Sequence, residues 1–165
     1  MTLELYGRLL ASFGQSIGLP ELAPDEEGYC ALSFDDLVVH LQHEPEDQEI
    51  AAFARIGVVE EDRAREIYEM LLNANQLWVG TAGATLSVQS EDQAVFIATR
   101  KSLQVLDEEG FRDWLGDFVD ITDYWTARLA RVNGGGPIED PDDGAPGPDG
   151  SVPPLPGGGR RIILG

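Results

Sequence analysis

Between Glu60 and Arg100 the spacing of apolar residues changes period once, and the rest of the chain is arranged around that change. Ile67, Met70, Leu71 and Ala74 recur at three- and four-residue intervals with Leu72 beside them, while Glu60, Glu61, Asp62 and Glu66 load the amino end with negative charge. The spacing predicts a helix whose charges suit its dipole. From Gly80 the pattern shortens: TAGATLSV and QAVFIATR are two β runs around the polar turn Gln89, Ser90, Glu91 and Asp92, which predicts a hairpin. One helix and two strands cannot fold alone, so the flanking segments must complete the core.

At the amino end Leu5, Leu9, Phe13 and Ile17 stand four residues apart, widened by Tyr6 and Leu10. This predicts an amphipathic helix, ended by Gly18, Pro20 and Pro24. Next, Cys30, Leu32 and Phe34 share one strand face and Leu37, Val39 and Leu41 another, on either side of a turn at Asp35 and Asp36. Ile50, Ala52, Ala54 and Ile56 alternate with Ala51, Phe53 and Arg55, which predicts a third strand, although these alanines also tolerate helix. Downstream, Phe111, Trp114, Leu115, Phe118, Ile121, Trp125 and Leu129 form a helical stripe behind Asp107, Glu108 and Glu109, and predict a closing helix of about five to six turns. The order is helix, three strands, helix, two strands, helix: an α+β fold with a twisted antiparallel sheet packed by helices.

Composition divides the chain. From Asn133 to Gly165 there are 10 glycines and 7 prolines without aromatics or periodicity. The expectation is a domain over residues 1–131 and a disordered, acidic, Gly/Pro-rich tail over 132–165. Thirty acidic against 11 basic residues give a formal charge of −19, which opposes binding to nucleic acid or to an anionic membrane surface. Cys30 has no partner for an internal disulfide, and the first residues show neither a secretory signal nor a membrane span, so a reducing, cytoplasmic compartment is expected.

Several residue groups invite a chemical reading. Gly14, Gln15, Ser16, Ile17 and Gly18 spell G-x-S-x-G, with Asp35, Asp36, His40 and His43 following, but the motif ends a helix instead of turning from strand to helix. His40 and His43 stand three apart on a strand and so face opposite ways, with no second His or Cys pair to complete a metal shell. GTAGAT lacks the lysine of a phosphate loop. Cys30 alternates with Leu32 and Phe34 as a small core residue would. No set makes an active site, and the expectation is a binding protein without metal or cofactor.

Four segments in order, LLASFGQSIGLPELAPDEEGYCALSFDD, LVVHLQHE, LLNANQLWVGTAGATLSVQSEDQAVFIATRKSL and LDEEGFRDWLGDFVDITDYWTARL, resemble the class I type III secretion chaperones, the Tir chaperone family, over about residues 3–131. The third is the most specific, joining a leucine pair, an Ala-Asn step, a glycine turn and a hairpin. The resemblance implies a bacterial, cytoplasmic homodimer formed through the central helix and an adjoining strand, with Ile67, Tyr68, Leu71, Leu72, Asn75, Leu86 and Val88 as interface candidates. It also implies that the dimer holds the amino-terminal segment of a secreted effector in an extended state without ATP. Grooves between the first helix and the sheet would take effector helices, and an open sheet edge an added strand. Leu5, Leu9, Phe13, Ile17, Val38 and His40 are then the effector-binding candidates. The tail ending GGGRRIILG is not explained by the resemblance, and its apolar end could be inert or a short docking peptide. Two other readings are an acidic protein mimicking nucleic acid, against which the clustering of carboxylates at turns and helix starts weighs, and a small hydrolase using Ser16.

Overall fold

The four-residue stripe at the amino end folds as α1 (Thr2–Ser16), which buries Tyr6, Leu9, Leu10 and Phe13. The computed structural model describes residues 2–139 and 162–164. The alternating runs form β1 (Tyr29–Phe34), β2 (Leu37–Glu44) and β3 (Glu49–Val58). In β3 the period of two prevails over the helix its alanines would allow, because Ile50, Ala52, Ala54 and Ile56 then all enter the core. A short turn of 3-10 helix at Glu61–Arg63 leads into α2 (Ala64–Asn75), and β4 (Thr85–Val88) and β5 (Ala94–Ser102) make the second hairpin.

The closing helix α3 (Glu108–Asn133) has 26 residues, about seven turns, and exceeds the length expected from its stripe. Its start is fixed by Asp107, whose carboxylate accepts the Gly110 N–H at 2.8 Å. Its end runs past Leu129 because Val132 is also fully buried. Phe13 meets Phe111 edge-on at 6.1 Å and so ties α1 to α3.

The strands form one antiparallel sheet in the order β4-β5-β3-β2-β1, extended at the β1 edge by β6 (Ile162–Leu164). Register divides the side chains into two faces. Cys30, Leu32, Val39, Leu41, Ile50, Ala52 and Ile97 are buried under the helices. Tyr29, Val38, His40, Phe53 and Phe96 lie on the other face and remain partly or fully exposed. The sheet is thus covered on one side only, as antiparallel sheets permit. Near its end β3 carries a bulge between Arg55 and Gly57. Gly57 has φ 149°, and a Cβ there would stand 2.9 Å from Leu129, so α3 crosses the sheet where only glycine fits.

α3 continues beyond the boundary placed at residue 131, and the apolar end of the tail, expected to be either inert chain or a short docking peptide within a disordered segment, is a strand of the sheet. The intervening residues 140–161 lie outside the described residues.

His43 is buried, stacks on Tyr6 at a ring distance of 6.2 Å, and shares a 3.1 Å hydrogen bond through Nε2 with the Thr2 hydroxyl. Burial lowers its pKa from the ordinary 6.5 and outweighs the opposing carboxylate of Glu44. The unfolded chain therefore binds a proton that the folded one refuses, so stability is intact above about pH 6.5 and declines as pH falls below it. The urea midpoint is expected to drop between pH 7.5 and 5.5, and to drop less in a His43→Gln variant. Equal declines in both proteins would contradict this assignment.

Candidate functional site

α2 runs beside the outer edge of β4, and one side chain joins them. Asn75 Nδ2 donates to the Leu86 carbonyl and Asn75 Oδ1 accepts the Leu86 N–H, both at 2.9 Å. The amide thus satisfies the outward-facing backbone groups of an edge strand, in place of a neighbouring strand. The side chains around this contact form a groove of about 230 Å³ lined by Tyr68, Leu71, Leu72, Asn75, Leu86, Ser87 and Val88. Six of the seven residues put forward for a subunit interface meet there. The exception is Ile67, fully buried in the core because it falls on the inner side of α2 with Met70.

An exposed apolar strip continues from this groove. Leu72 is 69% exposed, Leu77 78%, Trp78 57% and Val79 68%. Leu77 and Trp78 both have positive φ, 54° and 56°, a conformation costing on the order of 1–3 kcal/mol per residue unless neighbours impose it. The neighbours do impose it. Trp125 Nε1 donates to the Gly80 carbonyl at 3.0 Å, the Gly80 N–H donates to Ala74 O at 3.2 Å, and the buried Thr81 hydroxyl donates to Ala84 O at 2.6 Å. A Cβ on Gly80 would stand 3.0 Å from the Ala74 Cα. The loop is clamped against α2 and α3 with its large side chains outward.

The uncovered sheet face is a second surface. His40 stacks between Tyr29 and Phe53 at 5.9 and 5.0 Å, and its Nδ1 shares a 2.6 Å hydrogen bond with the Tyr29 hydroxyl. Burial lowers the His40 pKa, so the ring is held towards its neutral form. Phe96 extends this face beside Arg55. Beyond the β1–β2 turn lies an acidic depression of about 220 Å³, lined by residues that include Asp35, Asp36, Asp123 and Arg55.

The effector-binding candidates do not share one groove. Leu9 and Phe13 are buried because α3 fills the space beside α1, while Leu5 and Ile17 are half-buried against the same core. Val38 and His40 belong to the opposite face of the sheet. The residues that sequence reasoning passed over are Leu77, Trp78 and Val79, and the aromatics Tyr29, Phe53 and Phe96. Their signal was large apolar residues on the nominally polar side of strands, and an apolar run just past a helix end.

The groups weighed for chemistry take structural places. Ser16 closes α1 and donates to Phe13 O at 2.7 Å. Cys30 is buried, and burial, with Asp25 adding, pushes its thiol up to about 11. GTAGAT folds as a turn whose Gly80, Thr81 and Ala84 amides bond within residues 74–84. Among the described residues no group of His, Cys, Asp and Glu converges as a metal site, and no helix is long and apolar enough to cross a membrane.

The model of the Tir chaperone protein (CesT) family matches residues 8–126. The chain belongs to that family. Among solved structures, a chain of the ExsC–ExsE complex is similar at 27% identity and a TM-score of 0.67, covering 77% of this chain and 95% of that one. The Yersinia pestis type III secretion chaperone SycH in complex with a fragment of YscM2 aligns at 23% identity and a TM-score of 0.56, over 72% of this chain and 98% of the other. The HopA1–SchA chaperone–effector complex aligns at 15% identity and a TM-score of 0.61, over 74% and 94%. The last two show the shared fold. A search of curated proteins gave no match.

Replacing Asn75 by alanine removes both bonds to Leu86 and leaves half-buried backbone groups unpaired. A loss of about 1–3 kcal/mol in urea denaturation is expected. A variant as stable as the parent would show that Asn75 does not hold the β4 edge.

Proposed function

We propose that this member of the family acts as a homodimer that holds the amino-terminal segment of a type III secreted effector in an extended, non-globular state before export. The observation that carries this reading is the large apolar side chains held outward on a chain of charge −19: Leu72, Leu77, Trp78 and Val79 at one end of the sheet, and the His40 aromatic cluster on its bare face. Apolar patches rimmed by charge mark surfaces that meet another chain.

The two patches suit different partners. The strip from Tyr68 to Val79 lies on a clamped loop and a helix and continues the groove beside β4, so it fits a self-complementary contact between two copies. The bare sheet face is shallow and extended. It fits an effector segment that brings apolar side chains one after another, at a modest affinity per unit area because ordering the segment costs entropy. Holding a chain in this way draws on association alone and needs no nucleotide. The supporting facts are the family membership and the complexes in which similar chains are found.

Sedimentation equilibrium is expected to give twice the mass of the 17.9 kDa chain, and a Leu72→Asp variant is expected to sediment as a monomer with unchanged circular dichroism. A monomeric parent protein would remove the dimer from the account.

The immobilised chain, exposed to lysate of its own bacterium, is expected to retain an exported protein through its first ~100 residues, a length that coupled binding and ordering covers. Retention should be unaffected by ATP. Capture only of a basic nucleic-acid-binding protein would support the mimic reading instead.

A further inference from the structure

The two edges of the sheet are closed differently. At β4 the closure is a side chain, Asn75 on Leu86. At β1 it is the chain's own carboxyl-terminal segment, β6, paired antiparallel with Leu32 opposite Leu164, Ser33 opposite Ile163 and Phe34 opposite Ile162. We propose that β6 is a built-in occupant of the β1 edge, an intramolecular strand that an incoming extended apolar peptide must displace to add to the sheet.

The backbone parity supports this. The Tyr29 N–H donates to Asp25 Oδ1 and the Tyr29 carbonyl accepts the Asp25 N–H, both at 2.8 Å, so the polar groups of Tyr29 face away from β2. In an antiparallel ladder alternate residues face the same way, so those of Ala31 and Ser33 also face outward. The loop at Asp25 closes the beginning of this edge and β6 its end, with Ser33 and Ile163 as a hydrogen-bonded pair. Without β6, the Ser33 groups would be an open template for strand pairing.

The sequence fits the same role. Ile162, Ile163 and Leu164 are strand-forming residues at the end of 28 residues, 134–161, that include nine glycines and seven prolines. The tail's only two basic residues, Arg160 and Arg161, immediately precede Ile162, and Asp35 and Asp36 immediately follow its partner Phe34. In sequence, then, basic residues precede one paired segment and acidic residues follow the other.

Magnitude decides how tightly the edge is held. A three-residue strand gains a few hydrogen bonds of roughly 0.5–1.5 kcal/mol net each, which alone gives weak binding. Belonging to the same chain gives β6 an effective concentration at the edge on the order of millimolar. Occupancy is then partial to high and reversible, and a competing strand is weakened by about 2- to 10-fold without being excluded. The tail screens the edge against chance pairing and yields to a longer apolar strand.

The displacement step deepens the effector-binding reading and rests on it, but the docking of β6 can be tested without an effector. In the full chain, Ser33→Cys combined with Ile163→Cys places two thiols at paired positions. Mild oxidation is expected to join these two introduced thiols in a bridge within one chain, identified by peptide mapping on a mixture of isotopically light and heavy protein. No bridge, or bridges only between light and heavy chains, would overturn the proposal.

Displacement is read with a labelled synthetic peptide of residues 158–165, GGRRIILG. It should bind a full-length Ile163→Pro variant, which lacks the N–H that pairs with Ser33, about 2- to 10-fold more tightly than the parent. It should bind the oxidised double-cysteine protein least, with recovery on reduction. Equal binding to the parent and Ile163→Pro would contradict an occupied edge. Failure to capture any exported protein would count against the chaperone reading alone and leave these two results standing.

Discussion

Everything about this molecule's outer surface follows from covering an antiparallel sheet on one face only. The helices bury Leu32, Val39, Leu41, Ile50 and Ile97 behind the sheet, and that burial is the main source of stability. The same arrangement leaves a bare face and two strand edges that have to be managed. The formal charge of −19 opposes self-association of the bare face that carries Phe53, His40 and Tyr29.

The ends of the sheet are managed by opposite means. At β4 the closure is stiff: Asn75 binds the edge, and Trp125, reaching from α3 to Gly80, fixes the loop that displays Leu77 and Trp78. A surface whose side chains are already placed loses little further freedom when it associates, which suits a permanent contact between copies. At β1 the closure is short and tethered, which suits a site that must open. Under the proposed function, the two closures suit different uses: the stiff β4 edge a contact between copies, and the displaceable β1 edge the end of a client segment lying on the sheet.

Periodicity carried most of the fold, because a one-sided sheet imposes alternation on β1, β2 and most of β3 and an apolar stripe on each helix. Cys30, Leu32 and Phe34 sit where the pattern put them, and so does the stripe from Phe111 to Leu129. Periodicity alone says which residues turn inward, and not which helix meets them. Leu9 and Phe13 are groove candidates by the family resemblance, with ordinary core as the alternative, and α3 fills the space beside α1 that a groove would need. Ile67 was grouped with its helix neighbours although it faces the core. The clamped loop 76–81 was illegible because its shape comes from Trp125, about 45 residues away in sequence. In the tail, three apolar residues are too few for a periodic signal, and only the geometry of the β1 edge gives them a place.

The central claim is that the bare sheet face and the strip from Tyr68 to Val79 serve different partners, a client and a second copy. Side-chain oxidative footprinting of the chain, alone and bound to the effector segment it captures, tests this most directly. The account predicts that the client protects Tyr29, His40, Phe53 and Phe96, while Leu72 and Trp78 are protected to the same degree with and without it. Protection by the client at Leu72 and Trp78, with the aromatic face unchanged, would contradict it.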